Sequence, residues 1–544
     1  MNKFDNKNIF RNPYYSKLFL IIQERKEVYF MDKSKSNTDS EARSLTLWKI
    51  SIAVILFFIA GLFIGMEPFK TITYICAAGI LGYDIVISFI KSIMNSSVSV
   101  NKSVKDGLLS AIASAGLFII GKPSGAVGVM LFFKALSFIS NSAYQKASSS
   151  SDVLNKLCSD YANVQYGDEF IRTPVNEISC GDIIVVKSGE IFPLDGIVTT
   201  GESLMDSRRF TGEASHRTIG PGSEVISGAR NAASPVYVKV TRTSKNSAAY
   251  VIKETAEHYL DNRSLLENTF MTYAPNFTAG AVIASAVLII VSFFVGMGEI
   301  LRYYGLILLS VSSAFFTLKS VQTGFLAASG RLIKDGILIK SPKFVEAAAT
   351  IKKLVFDKNV LTSDNKEHED SIVAVSGFAA RGIETILTSD SAALPERNEL
   401  LNKIAGHTGI DKVFLNIEDK KLQSLLSSGY TAFYGSRTNK DYNADIVISQ
   451  AEHNTAEIIR SADAVLMTNE PSKLLRLYDI SKKTYKAAGM SILITCIIKL
   501  IIIALMILGK AEIWQALILD LFASISAIKL STNILKSKKA AEKK

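Results

Sequence analysis

Cysteine and histidine are scarce in this chain of 544 residues. The four cysteines, Cys76, Cys158, Cys180 and Cys496, lie at least 22 residues apart and form no Cys-x-x-Cys pair. Neither a disulfide framework nor a thiolate zinc site is expected from such spacing. The five histidines are equally scattered. Charge is also thin: charged residues make up 20% of the chain, against roughly 25% in soluble domains. With a mean hydropathy of +0.24, a wholly soluble protein is ruled out. The charge that remains is basic, with 61 Lys and Arg against 50 Asp and Glu and a net of +11. That balance would suit nucleic acid, but Lys-rich cytosolic flanks of a membrane protein give it too, and no nucleic-acid partner is expected. No internal repeat is evident.

Long apolar runs account for the hydropathy. A spanning helix takes about 20 mostly apolar residues. Residues 47–66, 71–90, 278–297, 303–325, 489–509 and 513–535 qualify. Residues 107–145 are apolar apart from Lys122-Pro123 and Lys134, and read as a hairpin of two helices, the first one short. The expected total is eight spans in the order four, two, two. A polar leader of more than 40 residues sets the first run apart from a cleaved signal peptide. An even count puts both termini on one side. Five Lys in residues 536–544 make that side cytosolic. A multi-pass protein of the cell membrane follows, with lipid as its first partner.

Two polar inserts separate the runs. Residues 146–277 open on a Ser run, 148–151, and carry β-branched runs at 183–186 and 236–240. Turn signals at Gly181-Asp182, Asp195-Gly196 and Gly220-Pro221-Gly222 punctuate them, as in a small all-β module. Residues 336–488 alternate strand-like runs (353–356, 383–387, 413–415, 431–434, 446–448, 465–467) with helical patterns at 395–405 and 418–427. This alternation predicts a doubly wound parallel sheet. Asp357 closes its first strand, where ligands and catalytic groups sit in such sheets. The resulting division is 1–45 polar and basic, 46–145 four spans, 146–277 β module, 278–335 two spans, 336–488 α/β module, 489–535 two spans and 536–544 tail.

Asp357-Lys358 after an apolar strand, Thr211-Gly212-Glu213 in the β module and the four-two-two helix order together resemble a P-type ATPase, from about residue 45 to the C-terminus. Gly189-Glu190, Pro193-Leu194-Asp195-Gly196 and Gly336-Ile337-Leu338-Ile339-Lys340 fit as well. The extra helix pair at the start resembles the heavy-metal subgroup, and Gly82-Tyr83-Asp84 its zinc/cadmium branch. The resemblance implies a membrane helical bundle of eight spans with an actuator-like β domain and a haloacid-dehalogenase-like α/β domain. It implies ATP and Mg²⁺ as cofactors and zinc as a cargo. It makes Asp357 the nucleophile on the γ-phosphoryl group, beside Lys358, and Glu213 the residue that orients water for dephosphorylation. Thr388 and Asp390 match the Thr-Gly-Asp loop, with Ser389 in place of Gly, and Lys420 matches the lysine that steadies the phosphoryl group.

The departures from that pattern are equally specific. The family reads Asp-Lys-Thr-Gly-Thr-Leu-Thr, whereas this chain has Asp357-Lys358-Asn359-Val360-Leu361-Thr362. The loop is one residue shorter, and β-branched Val360 replaces the glycine that lets a backbone wrap phosphate. The family's Gly-Asp-Gly-Ile-Asn-Asp becomes Gly435-Ser436-Arg437-Thr438-Asn439-Lys440, so Ser436 replaces a Mg²⁺-binding carboxylate. Residues 363–387, 25 in all, stand where the family inserts its nucleotide-binding domain. A domain takes roughly 50 residues or more, and part of this interval is already claimed by a strand-like run at 372–375. No Walker-type loop replaces the missing domain.

The membrane path departs too. The subgroup's Cys-Pro-Cys becomes Ser313, Ala314 and Phe315, so the thiolates that give soft-metal affinity and the helix-breaking proline are both gone. Lys319, one turn on, reads either as a cation standing in for the metal's charge or, near the cytosolic end, as a side chain that snorkels, the reading expected here. Lys499 and Asp520 match the zinc branch's Lys and Asp, the Asp as metal ligand and the Lys as counter-ion. Their spacing from the turn at Gly509-Lys510 sets both about 15–16 Å deep, near the bilayer midplane, where pairing is expected. That pair reads either as a metal site or as a permanent salt bridge. Asp84, near a helix end, is expected to face solvent. The segment 1–45 lacks the metal-binding domain's Cys pair and suits contact with anionic lipid.

Three readings remain open. The first is a degenerate heavy-metal P-type ATPase homologue that does not hydrolyse ATP and serves as a regulatory, binding or scaffold partner, of another membrane protein or of an intact metal pump. The second is a zinc/cadmium-type pump with nucleotide binding supplied in trans, or a small phosphatase using Asp357. The third is a passive carrier through the Lys499/Asp520 region.

Overall fold

The computed structural model describes residues 43–62, 66–94, 102–149, 158–167, 169–208, 216–296, 298–363, 366–367, 369–390, 395–435, 443–451, 455–468 and 470–535. The expectations placed on Thr211-Gly212-Glu213, on Ser436 and Arg437, on most of the N-terminal segment and on the Lys-rich tail lie outside these residues. The chain divides into two compact units. One holds the residues up to 139 with 282–313 and 511–517; the other holds 140–281, 314–510 and 518–544.

The chain enters the first unit through α1 (Arg43–Leu62), α2 (Glu67–Met94), α3 (Lys102–Ile119) and the first part of α4 (Pro123–Ser149). Ala53, Ala60, Tyr74, Ala77, Leu81, Val127 and Met130 form a buried cluster. Its alanines let backbones approach closely, which is how apolar helices pack where no hydrophobic force separates them from lipid. The α3–α4 turn explains the hairpin read from Lys122-Pro123. Gly121 takes φ 75°, and the Lys122 N–H returns to Leu117 O at 2.9 Å. Pro123 then opens α4, where its missing N–H is no loss.

The β module of the second unit has strands β1 (Tyr161–Tyr166), β2 (Glu169–Pro174), β3 (Ile183–Val186), β4 (Gly196–Thr200), β5 (Ser203–Asp206), β6 (His216–Ile219), β7 (Glu224–Val225), β8 (Arg230–Asn231) and β9 (Val236–Val240). They form sheets of order β2-β1-β3-β9-β4-β7 and β6-β5-β8, with antiparallel pairing. Val236, Val238 and Val240 point inward, while Tyr237 and Lys239 do not. This alternation buries one face of β9. Asp195 fixes the exit from the module: its carboxylate accepts the Ser227 N–H at 2.7 Å and the Ala248 N–H at 3.0 Å, at the start of α5 (Ala248–Glu257). Gly196 is sterically required, since a Cβ there would lie 2.4 Å from Val238 Cγ1 and 2.5 Å from Lys239 O.

Helix α6 (Leu265–Val291) follows, then α7 (Gly298–Val311) and α8 (Phe315–Lys334). The apolar run at 278–297 begins its helix earlier than expected, and 292–296 are turns. The run at 303–325 is not one continuous helix, because Ser312, Ser313 and Ala314 interrupt it.

The α/β module comprises β10 (Ile337–Ile339), α9 (Pro342–Thr350), β11 (Lys353–Asp357), α10 (Lys358–Leu361), β12 (Thr362–Ser363), β13 (Lys366–Glu367), α11 (Glu369–Ala379), β14 (Glu384–Asp390), α12 (Pro395–Thr408), β15 (Lys412–Ile417), α13 (Asp419–Leu426), β16 (Thr431–Tyr434), β17 (Ile446–Gln450), α14 (Thr455–Ser461) and β18 (Ala464–Leu466). Its sheet has the order β10-β18-β17-β16-β11-β14-β15. All pairs are parallel except β10 with β18. The strand run expected at 372–375 is corrected: it lies inside α11, and its apolar pair Ile372 and Val373 is exposed on that helix. A run of four apolar residues does not separate a strand from a helical turn.

Helices α15 (Lys473–Ile507) and α16 (Ile513–Thr532) close the chain. Among the described residues, seven helices or helix pairs are long and apolar enough to cross a membrane: α1, α2, α4, α6, α7 with α8, α15, and α16 with the turn after it. The apolar part of α3, Gly107–Ile119, is shorter than these.

Candidate functional site

Strand β11 is where the sheet order reverses. The chain runs from β11 to β14 and β15 on one side, then crosses to β16, β17 and β18 on the other. The crevice at the carboxyl ends of β11 and β16 is the ligand position of such folds. Asp357, the last residue of β11, sits there 2% exposed. Its register partner in β14 is Thr388, whose hydroxyl donates to Phe356 O at 3.1 Å. Gly435 follows β16, and a Cβ on it would meet Asp357 Cβ at 3.1 Å and the Phe433 ring at 2.6 Å. Lys358 is 8% exposed and Ser389 1% exposed. The structure thus assembles Asp357, Lys358, Thr388 and Gly435 around one point. Lys420 is exposed at the start of α13, which follows β15, two strands from β11. Asp390 ends β14, its side chain lying outside the described atoms, and Glu213 lies outside the described residues.

After Asp357 the backbone does not open into a loop. Lys358–Leu361 forms one helical turn, and β12 pairs with β13 at once, Thr362 with Glu367 and Ser363 with Lys366. Val360, 4% exposed, packs in the cluster that contains Phe356, Leu387, Leu401 and Ala405. An apolar anchor therefore follows Asp357 where a phosphate-wrapping loop would need backbone freedom. The interval up to β14 is occupied by this hairpin, by α11 and by the turn at Gly382. Among the described residues, nothing fits ATP with Mg²⁺. A buried aspartate backed by an apolar turn offers no wrapped backbone, and no segment of domain length follows it.

In the membrane-type helices of the second unit, Lys499 Nζ stands 3.5 Å from Asp520 Oδ1. One turn earlier on α15, Thr495 accepts a hydrogen bond from Thr317 of α8 at 3.1 Å and donates to Ser491 O at 2.9 Å. This hydroxyl line escaped the sequence reading, although Ser481, Thr484, Ala488, Ser491 and Thr495 recur at intervals of three and four and make up the buried face of α15. Among the described residues, no group of three or more His, Cys, Asp or Glu could hold a metal ion. Cys76 and Cys496 are exposed. Hydroxyls and one lysine-bound carboxylate fall short of the four ligands, drawn from cysteine, histidine and carboxylate, that a structural zinc site takes. The helix break persists at Ser312-Ser313-Ala314 without proline, and Ser312 Oγ donates back to Leu309 O at 2.9 Å. Such back-bonding competes with the helical ladder. Lys319 hydrogen-bonds Asn141 and lies 5.6 Å from the Tyr144 and Phe315 ring centroids, so its ammonium is held by protein groups.

Asp84 does more than face solvent. With its side chain 37% exposed, it accepts Lys134 Nζ at 2.7 Å on both oxygens, with Lys49 Nζ at 3.5 Å and 4.5 Å from the Tyr83 ring centroid. Three helices of the first unit, α1, α2 and α4, meet on this carboxylate. The available signal was one charge of each sign inside apolar runs, which calls for pairing.

Residues 156–257 match the P-type ATPase actuator domain. The chain is 24% identical over 586 positions to a cadmium, zinc and cobalt-transporting ATPase of Bacillus subtilis (strain 168), covering 84% of this chain and 82% of that protein. It is 27% identical over 373 residues to the corresponding ATPase of Helicobacter felis, covering 67% of this chain and 54% of that protein. This chain is a homologue of the cadmium- and zinc-transporting P-type ATPases. A zinc-transporting ATPase of Synechocystis is a further relative, 22% identical over 79% of this chain and 76% of its own length. A crystal structure of a zinc-transporting PIB-type ATPase in the E2.Pi state aligns with 90% of this chain and 100% of its own, at 18% identity and a TM-score of 0.48. Against the Bacillus relative, the alignment takes 586 positions although only 84% of a 544-residue homologue enters it. The pump therefore carries residues that have no counterpart in its homologue. Multiple apolar helices and this kinship make the homologue a multi-pass membrane protein.

Proposed function

We propose that the chain is a non-catalytic heavy-metal P-type ATPase homologue, a pseudo-pump that does not use ATP and acts as a regulatory, binding or scaffold partner of another membrane protein, an intact metal pump above all. In this reading it has eight spans, with α3 as the short one, both termini cytosolic, and a haloacid-dehalogenase-like α/β domain without a nucleotide-binding insert. Asp357, Lys358, Glu213, Thr388, Asp390 and Lys420 are then vestiges of a catalytic centre. The observation that carries the reading is the interval after Asp357, filled by a helical turn, a two-residue-strand hairpin and α11 before β14 begins. The anchoring of Val360 in the core supports it. The test is incubation of the purified full chain with γ-labelled ATP and Mg²⁺. The reading expects no acid-stable label on wild type or on Asp357→Asn; label on wild type that Asp357→Asn abolishes makes the chain a pump.

A second reading rests on the buried Lys499–Asp520 pair beside the Thr317–Thr495 hydroxyls. It is a passive metal path, in which Asp520 would take the ion and Lys499 replace it in the empty state. Zinc flux into proteoliposomes without ATP, lost in Asp520→Asn, would favour it.

A further inference from the structure

We propose that α15 and α16 carry a binding rim for anionic phospholipid headgroups, formed by Lys483, Lys486 and Lys529. On α15 a single exposed stripe runs through Lys483, Lys486, Met490, Leu493, Ile497 and Leu500, at intervals of three and four residues. Its charged end passes without a break into an apolar face whose members are 47–64% exposed. On α16 the stripe runs the other way, through Ile518, Phe522 and Ile525 to exposed Lys529. A helix face that changes in this manner along its own axis fits the boundary between acyl chains and headgroups.

Two independent contacts put the lysines at one end of the helix pair. Ser491 Oγ donates to Ala527 O at 3.4 Å, and Lys499 pairs with Asp520, so α15 and α16 run antiparallel side by side. Measured from the Lys499–Asp520 level, Lys486 lies about 20 Å and Lys529 about 14 Å along the helices. The hydrocarbon half-thickness is about 15 Å. With the buried pair near the midplane, both ammonium groups reach the headgroup layer, and Lys483 stands one turn beyond Lys486. The opposite end of the pair offers no such excess, since Lys510 is offset by Glu512. None of the three lysines has a salt bridge among the described residues. Three cations with an apolar stripe beneath them match a lipid that joins an anionic phosphate to acyl chains. They do not match a free phosphate, which would gain nothing from the stripe.

The test is native mass spectrometry of the full chain, titrated with dioleoylphosphatidylglycerol or dioleoylphosphatidylcholine. Wild type should bind the anionic lipid more tightly. In K483Q/K486Q/K529Q that preference should fall roughly fivefold for each lysine removed. K483R/K486R/K529R should keep it, and Lys421→Gln on the α/β module should leave it unchanged. Soluble glycerol 3-phosphate should not compete. Equal binding of the two lipids, an undiminished preference in the Gln variant, or competition by glycerol 3-phosphate at the lipid's own concentration would each overturn the proposal.

Discussion

Lys499 and Asp520 face each other across α15 and α16 with 3.5 Å between Nζ and Oδ1, their side chains 7% and 19% exposed. Removing one partner of such a pair strands the other charge in a low-dielectric setting. Lys499→Met alone should therefore destabilise the protein by about 3–5 kcal/mol. Lys499→Met with Asp520→Leu should recover most of that loss, because two apolar groups leave neither charge of the pair stranded. Thermal unfolding in detergent distinguishes the two. Equal losses in the single and double variants would mean the pair contributes through packing alone.

The Asp84 cluster invites the same comparison with a smaller expected effect. Its carboxylate is 37% exposed, so water compensates part of what Lys134 loses. Asp84→Asn should destabilise by about 1–2 kcal/mol, less than Lys499→Met. A larger loss than at Lys499 would mean that the three-helix junction, and not the α15–α16 pair, dominates the energetics of these charges.

Val360 is expected to act as a core residue. Val360→Gly removes a buried side chain and adds backbone freedom, at a combined cost of about 2–4 kcal/mol. Glycine at this position should lower the unfolding midpoint and, on the proposed reading, confer no phosphorylation on Asp357. Labelling of Asp357 in this variant would show that the Val360 side chain, and not the short interval after it, keeps the site from reacting.

Glu346 joins the α/β module to the start of α6 by accepting the Leu266 N–H at 3.0 Å. Burial raises its pKa above the ordinary carboxylate value, and bonds from Leu266, Leu265 and Ser264 oppose that rise only in part. Between the unfolded and folded pKa the folded state holds more protons, so this group's contribution to stability falls as pH rises through that window. It is flat outside it. Glu346→Gln should remove this component of the pH profile, measured as the difference in unfolding midpoint from wild type upward from pH 4. Glu346→Ala should lose about 1 kcal/mol of helix capping at all pH values.

Much of this architecture was legible in the residues. β-branched runs such as Ile183–Val186 and Val236–Val240 became strands with their own boundaries, because each buries alternate or successive apolar residues in a sheet. Lys499 and Asp520 could be matched by counting from Gly509, because a helix has a fixed rise. What escaped depended on partners distant in sequence. Residues 372–375 are too few to reveal their period. Asp84 is partnered 50 residues away. The break at Ser312-Ser313-Ala314 has no proline to announce it. Val360 was recognised as a departure from a phosphate loop, but its burial in the core cluster that also holds Phe356 and Leu387 required the fold.

The central claim is that the α/β module houses no adenine nucleotide. Equilibrium dialysis of the purified full chain against labelled ATP, with and without Mg²⁺ and with no other protein present, tests it most directly. The account predicts no saturable binding up to millimolar ATP, and the same trace for wild type and Asp357→Asn. Stoichiometric binding with micromolar affinity would contradict it.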